Sequence, residues 1–426
     1  MLYLAPSMEK RALSPISKPD LTVQLPGSKS LTNRALVCAA LADGVSRLSN
    51  WSDGEDTQAM LEGLGRLGVE IAEQQGELLV HGLDGQFAIP LHPIDCRASG
   101  TTMRFLTACS ALAPGRVVLD GTPRMRERPI QPLGDALQAL GVSVRTVAGC
   151  PPVTVQGGGL AGGEVSVDSS DSSQFLSALL MVSPFAREPV EIKAGTITSR
   201  PYVEMTIETM IAFGGAVDMR GENHFKVSTG QRYRARRYVV EPDASGATYF
   251  FGAAAITGGR IRVDGLTQAS TQGDIRFVEV LERMGCGVER APQWIAVRGS
   301  RYLHGIDVDM NAMPDAALTL AVVACFVQGP TTIRNVGNLR LKETDRIQAL
   351  KNELEKLGAR VTLGETDIRI DPPAKVEPAR IETYDDHRMA MSFALAGLGV
   401  PGIEIENPEC VAKTFPTFWE RIESLG

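Results

Sequence analysis

The sequence predicts an α/β protein of two domains, each holding three repeats of the order strand, helix, strand, helix, strand, strand. Three observations lead there. A helix start rich in small polar residues recurs six times, at Ser28, Ser99, Ser172, Ser245, Asp315 and Asp386, with separations of 71, 73, 73, 70 and 71 residues. A second, amphipathic helix ends on a glycine at the same interval: Gly68, Gly141, Gly214, Gly285 and Gly358, then Gly426 at the chain end. The sixth copy stops at its second helix, Phe415 to Gly426, without the two strands that close the others. A fixed period of this kind marks a repeat architecture.

Each element of the repeat has a local reason. The first copy, LPGSKSLTNRALVCAALADG (Leu25 to Gly44), passes from a Pro-Gly turn through hydroxyls and cations into an Ala/Leu-rich helix. Ser, Thr and Asp at such starts accept hydrogen bonds from helix N–H groups. The glycines sit just past apolar-periodic helices, where a left-handed residue closes the last turn. Val117 to Leu119, Val190 to Ile192, Ile261 to Val263 and Thr332 to Ile333 read as short strands after Pro-Gly or Gly-Gly turns. The amino-terminal segment is expected to supply the strands missing from the sixth copy. One domain is then 27–240, and the other combines 1–26 with 241–426, the second crossing following the basic segment Arg232 to Arg237.

Composition narrows the class. The 426 residues are 43% hydrophobic and 22% charged, as in a globular enzyme. The apolar runs fall short of the roughly 18 residues a membrane span requires. The first twenty residues lack a secretory apolar core, so a cytoplasmic location is expected. Seven scattered cysteines without a C-x-x-C pair, and five histidines without an H-x-x-x-H pair, predict neither a disulfide framework nor a metal site. A net charge of −7 argues against nucleic acid as a partner.

The chemistry-bearing residues gather at the repeated helix starts. Lys29 and Arg34, with Ser30, can hold one anion, because a helix N-terminus offers free N–H groups and partial positive charge. The spacing is not that of a Walker A loop. In GTPRMRERPI, Arg124, Arg126 and Arg128 alternate, so an extended segment would point all three one way, onto an anion that relieves their repulsion. A solvated basic strand is the bland alternative. SSQF (Ser172 to Phe175) and TSRPY (Thr198 to Tyr202) add hydroxyls, an amide and Arg200, which suit phosphate and polyol. NLRLKETDR (Asn338 to Arg346) places Lys342 and Arg346 on one face if helical, with Glu343 and Asp345 beside them. YDDHRMA and AKTFP bring His387, Arg388 and Lys413 to neighbouring starts. The set fits proton transfer on a small polyanion.

At these motifs the chain resembles the 5-enolpyruvylshikimate-3-phosphate (EPSP) synthase family of enolpyruvyl transferases, from LPGSKS through RPI, SSQFL, SRPY, PDA, KETDR and DHRMA to AKTFP. The resemblance implies a two-domain inside-out α/β barrel, each domain three βαβαββ repeats, closing over its substrates. It implies attack of the 5-hydroxyl of shikimate 3-phosphate on C2 of phosphoenolpyruvate, protonation of C3 and loss of phosphate, with no cofactor, in a monomer. By the same resemblance Ser30, Arg34, Ser172, Ser173, Ser199 and Tyr202 hold the shikimate phosphate and ring, Gln174 lies between the substrates, and Asn338 and Lys342 add contacts. Lys29, Gly100, Arg124, Arg346, Arg388 and Lys413 form the phosphoenolpyruvate cage. Asp315 is implied as base, Glu343 as acid, and His387 as a neighbour to the proton transfers. The domain 27–240 is implied to bind mainly shikimate 3-phosphate, and the other to bind mainly phosphoenolpyruvate and carry the chemistry.

Two positions depart from the family pattern. Phe105 stands where a proline is common, in RASGTTMRF, which bears on the response to the herbicide glyphosate; Asp385 stands where asparagine is common. Two competing readings remain open: an enolpyruvyl transferase acting on a UDP-sugar, which would normally carry a reactive Cys in the loop where Gly121 to Ile130 has none, and a non-catalytic phosphometabolite sensor.

Overall fold

The computed structural model describes residues 10–426. Twelve α-helices are found among them: α1 (Lys29–Leu41), α2 (Glu55–Arg66), α3 (Gly100–Cys109), α4 (Gln131–Ala139), α5 (Gln174–Val182), α6 (Pro201–Ala212), α7 (Ala244–Thr257), α8 (Phe277–Arg283), α9 (Ala317–Val323), α10 (Arg346–Lys356), α11 (His387–Gly399) and α12 (Phe418–Glu423). The odd-numbered helices are almost wholly buried, and beyond their first turns they are mostly apolar. The even-numbered ones bury a single stripe. This follows from composition, since a helix such as LTLAVV has no polar face to offer water.

The strands form six sheets, five of which share one topology. An entering strand lies parallel to the next, which pairs antiparallel with the last strand of a hairpin; the hairpin's first strand takes the edge. In the second sheet these are Ile94–Asp95, Arg116–Asp120, Cys150–Gln156 and Ser143–Val147 in spatial order. The parallel pair needs a crossover, which the inner helix α3 provides. Gly163–Ser169 and Asp307–Asp309 lead through α5 and α9 in the same way.

Two sheets take their entering strand from a distant part of the chain. Arg237–Val239 lies parallel to Asp43–Ser49, and Asp20–Val23 lies parallel to Arg260–Asp264. The sixth sheet, Ala379–Ile381 with Ile403–Glu406, is closed by Lys10–Ala12 running antiparallel to the latter. One of the two missing strands is thus supplied by the amino-terminal segment; a second, if drawn from residues 1–9, lies outside the described residues.

The chain divides into two compact units, Pro26–Glu241 and residues 10–25 with Pro242–Gly426. Each has its own hydrophobic core, centred on α1, α3 and α5 in one and on α7, α9 and α11 in the other. Five even-numbered helices end on glycines at positive φ, Gly68 (94°), Gly141 (87°), Gly214 (90°), Gly285 (111°) and Gly358 (89°), a region where a side chain would be strained. Helix α12 differs, ending at Glu423, so that Gly426 lies beyond the closing position.

Candidate functional site

In the Pro26–Glu241 unit the expected residues collect at the N-terminal turns of α1, α3 and α5. Ser28 caps α1 and Ser99 caps α3, each accepting from a backbone N–H. The helix starts are tied to one another: Asn33 donates to Thr101 Oγ1 at 2.8 Å, and Arg104 donates to Gln174 Oε1 at 3.1 Å. Lys29 opens α1 with its ammonium 3.1 Å from Asp56 Oδ2, a carboxylate in the first turn of α2. Ser172 Oγ accepts from Gln174 N, and Ser173 caps α5 without a side-chain bond. Ser199 adopts φ 53° and turns the chain into α6, whose first turn holds Tyr202.

Arg34 does not present a guanidinium at a helix mouth, as its sequence position suggests. It is 1% exposed and donates to Thr206 Oγ1 (2.7 Å), the Ser30 carbonyl (3.0 Å) and the Tyr202 carbonyl (2.9 Å). Its carbon Cζ lies 5.3 Å from the centre of the Phe105 ring, so Phe105 packs against this cation inside an uninterrupted α3. Burial pushes the Arg34 pKa down to about 10, which leaves it charged near neutrality. The protein interior consumes most of its donors, and it fixes the backbone of Ser30 and Tyr202.

The arginine triplet also differs from expectation. Residues Met125–Glu127 form a 3₁₀ turn, because Thr122 Oγ1 accepts from Met125 N and Arg124 takes a helical conformation. A turn destroys the alternation of an extended strand, so the three side chains do not share a face. Arg124 pairs with Glu127 at 2.8 Å and Arg126 with Asp120 at 2.6 Å. Arg128 turns inward and is 6% exposed. A Cβ added to Gly100 would lie 2.4 Å from Arg104 and 2.8 Å from Arg128, so glycine alone lets two guanidinium groups crowd the start of α3. Arg128 thus joins Arg104 as a cation beside Gly100. The clue in the sequence was RPI, where the proline fixes the residue before it in extended backbone.

In the other unit the corresponding turns of α7, α9 and α11 carry the remaining residues. Asp315 lies in a 3₁₀ turn before α9, and Asp243 rather than Ser245 caps α7. Asp386 caps α11 and places His387 and Arg388 in its first turn. Asp345 caps α10 and makes Arg346 its first residue. Lys342 is extended and precedes that helix, so Lys342 and Arg346 do not share a helical face. Asn338 stands in the preceding 3₁₀ turn, Gly337–Leu341.

Here opposite charges interleave. Arg346, 1% exposed, donates to both oxygens of Asp386 (2.7 and 3.1 Å), to Asp315 Oδ1 (3.0 Å) and to Glu343 Oε2 (2.9 Å). Arg388 meets the other Asp315 oxygen at 2.8 Å and donates to the Tyr249 hydroxyl at 3.1 Å. Lys413 Nζ stands 3.8 Å from Glu343 Oε1. Each of the two carboxylates expected to move protons therefore lies between two cations. Burial alone would lower the Arg346 pKa, but Asp386, Glu343 and Asp315 together raise it.

His387 is buried, and neither ring nitrogen has a hydrogen-bond partner among the described residues. Burial, reinforced by Arg388, Arg346 and Lys413 and opposed by Glu343, holds its pKa well below the usual value, so the imidazole is neutral. Asp385 is exposed and accepts from Asn407, while Asp386 is the carboxylate nearer His387, with 3.6 Å between Oδ1 and Nδ1. Asp274, which sequence reasoning passed over, is buried and accepts from Ser245 Oγ at 2.7 Å. Burial and then Asp315 raise its pKa to about 6, against the pull of Arg388.

Among the described residues no group of three His, Cys, Asp or Glu side chains could hold a metal ion, and no helix is long and apolar enough to cross a membrane. The helix starts of each unit instead offer cations, N–H groups and hydroxyls, with one carboxylate, Asp56, beside Lys29 in the first unit and several, Asp315, Glu343 and Asp386, around Arg346 in the second. Such an arrangement binds phosphate and carboxylate groups and transfers protons.

Known proteins carry the same framework. Residues 13–422 match the family described as EPSP synthase (3-phosphoshikimate 1-carboxyvinyltransferase). The 3-phosphoshikimate 1-carboxyvinyltransferase of Sulfurovum sp. is 46% identical, spanning 98% of this chain and 100% of its own, and that of Nostoc punctiforme is 46% identical over 94% and 95%. Among solved structures, an EPSP synthase from Acinetobacter baumannii superposes with a TM-score of 0.82 at 29% identity, covering 98% of both chains. The enolpyruvyl transferase NikO from Streptomyces tendae, at 18% identity and a TM-score of 0.79 over 98% of both chains, shares the fold. The chain therefore belongs to the EPSP synthase (3-phosphoshikimate 1-carboxyvinyltransferase) family and has its two-domain enolpyruvyl transferase fold.

Proposed function

We propose that this enzyme transfers the enolpyruvyl group of phosphoenolpyruvate to the 5-hydroxyl of shikimate 3-phosphate and releases inorganic phosphate. The observation that carries the reading is the pairing of Asp315 and Glu343 across one buried arginine, Arg346, inside a cationic cluster. A protein that merely bound polyanions would gain nothing from two carboxylates at that place.

The steps follow from these groups. Asp315 accepts the proton of the 5-hydroxyl as its oxygen bonds to C2, while Glu343 delivers a proton to C3. Arg346, Arg388, Lys413, Lys29 and Arg124, joined by Arg128, neutralise the phosphate and carboxylate of phosphoenolpyruvate, and Gly100 lets that anion approach α3. Breaking the C2–phosphate bond expels phosphate, and removing a C3 proton restores the double bond. Ser30, Ser172, Ser173, Ser199 and Tyr202 orient the shikimate phosphate and ring, with Gln174 between the substrates and Asn338 and Lys342 as further contacts. Arg34 acts from behind, through Ser30 and Tyr202. His387, neutral, stands next to Glu343 as a dipole and not as an acid. The Pro26–Glu241 unit serves mainly shikimate 3-phosphate, and the other unit mainly phosphoenolpyruvate and the chemistry.

No cofactor enters this scheme, and the enzyme acts as a monomer, which light scattering of the purified chain checks. Seven unpaired cysteines suit the reducing cytoplasm. The deciding experiment is a phosphate-release assay with phosphoenolpyruvate and either shikimate 3-phosphate or UDP-N-acetylglucosamine. Release with shikimate 3-phosphate alone is expected. Release with the UDP-sugar alone, or binding of both proposed substrates without release, refutes the assignment.

A further inference from the structure

The six sheets provide an internal control for what a solvent-facing strand row carries in this protein. In five of them a strand-borne cation is ion-paired within its own sheet. Arg47 meets Glu77 at 3.6 Å, Lys226 meets Glu191 at 2.7 Å, and Arg260 forks onto Glu289 at 2.9 and 2.7 Å. Arg334 meets Asp307 at 2.6 Å, and Lys10 meets Glu404 at 3.7 Å.

The second sheet breaks this rule. Its two strand-borne cations, Arg116 and Arg145, are exposed, and neither has an ion-pair or hydrogen-bond partner among the described residues. Its strand-borne carboxylates, Asp95 and Asp120, lie together at the other end, where Asp120 is taken by Arg126. Register shows what has changed. Arg116, Gln156 and Ser143 form one row across three strands, as Arg260, Arg298 and Gly287 do in the fourth sheet. The next row runs Val118, Thr154, Arg145, where the fourth sheet has Arg262, Ala296, Glu289. Arg145 thus occupies the place of the carboxylate that clamps Arg260.

Two guanidinium groups on adjacent rows repel, and a chain with net charge −7 has no general basicity to explain them. Arg116, Ser143, Arg145, Thr154 and Gln156 line a hollow of about 440 Å³. The two arginine-bearing strands flank a third, which puts them roughly 10 Å apart at ordinary strand spacing. Long side chains can close from both sides on one group between them. Planar forks favour an oxyanion, and two hydroxyls and an amide supply neutral donors.

We propose that the solvent face of this sheet is a second ligand site, which binds the phosphate group of a small phosphorylated metabolite between Arg116 and Arg145. The site stands apart from the proposed catalytic residues, at the end of its sheet remote from Gly100. The test uses the full chain labelled with ¹⁵N-arginine, its Nε–H resonances assigned by loss in Arg116→Gln and Arg145→Gln. Inorganic phosphate and glycerol 3-phosphate are titrated at constant ionic strength. Saturable shifts at both arginines are expected, with glycerol 3-phosphate half-saturating at the lower concentration. Arg145→Glu restores the carboxylate seen in the fourth sheet, where it can pair with Arg116 as Glu289 pairs with Arg260. It should raise the half-saturation at least tenfold and leave phosphate-release activity unchanged. Linear, unsaturable shifts, or saturation unaltered by Arg145→Glu, overturn the site. Tighter binding of inorganic phosphate than of the ester overturns the metabolite assignment. Saturation by a single-stranded DNA 12-mer at a hundredfold lower concentration than either does so in favour of a nucleic-acid surface.

Discussion

Replacing Asp274 by asparagine should stabilise the protein, and only above a defined pH. The carboxyl is buried, accepts from Ser245, and shares its surroundings with Asp315, Asp243 and Arg388. Burial, then Asp315, raises its pKa from 3.8 to about 6. The folded state therefore holds a proton that the unfolded chain has already released between those values. Stability is lost as pH rises through this window, and the loss is complete above pH 6. A rise of this size corresponds to at most roughly 3 kcal/mol. Asparagine keeps the shape and accepts from Ser245 without carrying the charge. Urea unfolding at pH 4 should hardly distinguish Asp274→Asn from wild type. At pH 7.5 the variant's midpoint should lie up to about 1 M higher, for a unit with a slope near 3 kcal/mol/M. An equal gain at both pH values, or none at pH 7.5, would refute the argument that burying the Asp274 charge beside Asp315 is the cause.

Arg346→Gln should cost about 3–5 kcal/mol, because it leaves the fully buried Asp386 and two more carboxylates without their shared cation. Calorimetry would detect this as a fall of roughly 6–20 °C in the melting of that unit, and a fall under 2 °C would refute it. Glu343→Gln should lower kcat by about 10²- to 10⁴-fold with little change in substrate binding, as for a group acting in the transition state; unchanged turnover removes it from the acid role. Arg128→Lys should raise the KM for phosphoenolpyruvate more than Arg124→Lys does, since a point charge replaces a buried fork in one case and a surface ion pair in the other. The reverse order would remove Arg128 from the cage.

The repeat was legible because it is written in backbone requirements. Glycines at positive φ and helices with long Ala- and Leu-rich runs leave marks that one sequence displays without structure, and Gly68 through Gly358 stand where those marks place them. Side-chain direction was less legible, because it depends on turns of three or four residues. Arg124, Arg126 and Arg128 alternate in sequence, yet one 3₁₀ turn sends only Arg128 inward. Lys342 and Arg346 are four apart, yet the helix begins at the second of them. Arg34 sits at a helix start that suits anions, but Thr206 and Tyr202, about 170 residues further along, claim its donors. Such long-range capture has no local signature.

The parallel pairing of Asp20–Val23 with Arg260–Asp264 has a consequence for biosynthesis. Residues 26–241 form an unbroken stretch of chain that can complete its three sheets as soon as Arg237–Val239 has emerged. The preceding strand has no such opportunity. At roughly 5–20 residues per second, Val23 waits on the order of 10–50 s for its partner to leave the ribosome. Lys10–Ala12 waits longer still, for Ile403–Glu406. Throughout that interval the nascent chain displays an open strand edge ahead of a finished domain. Its charged and polar residues, Lys10, Arg11, Asp20 and Thr22, are of the kind that discourages strand edges from joining the wrong neighbour.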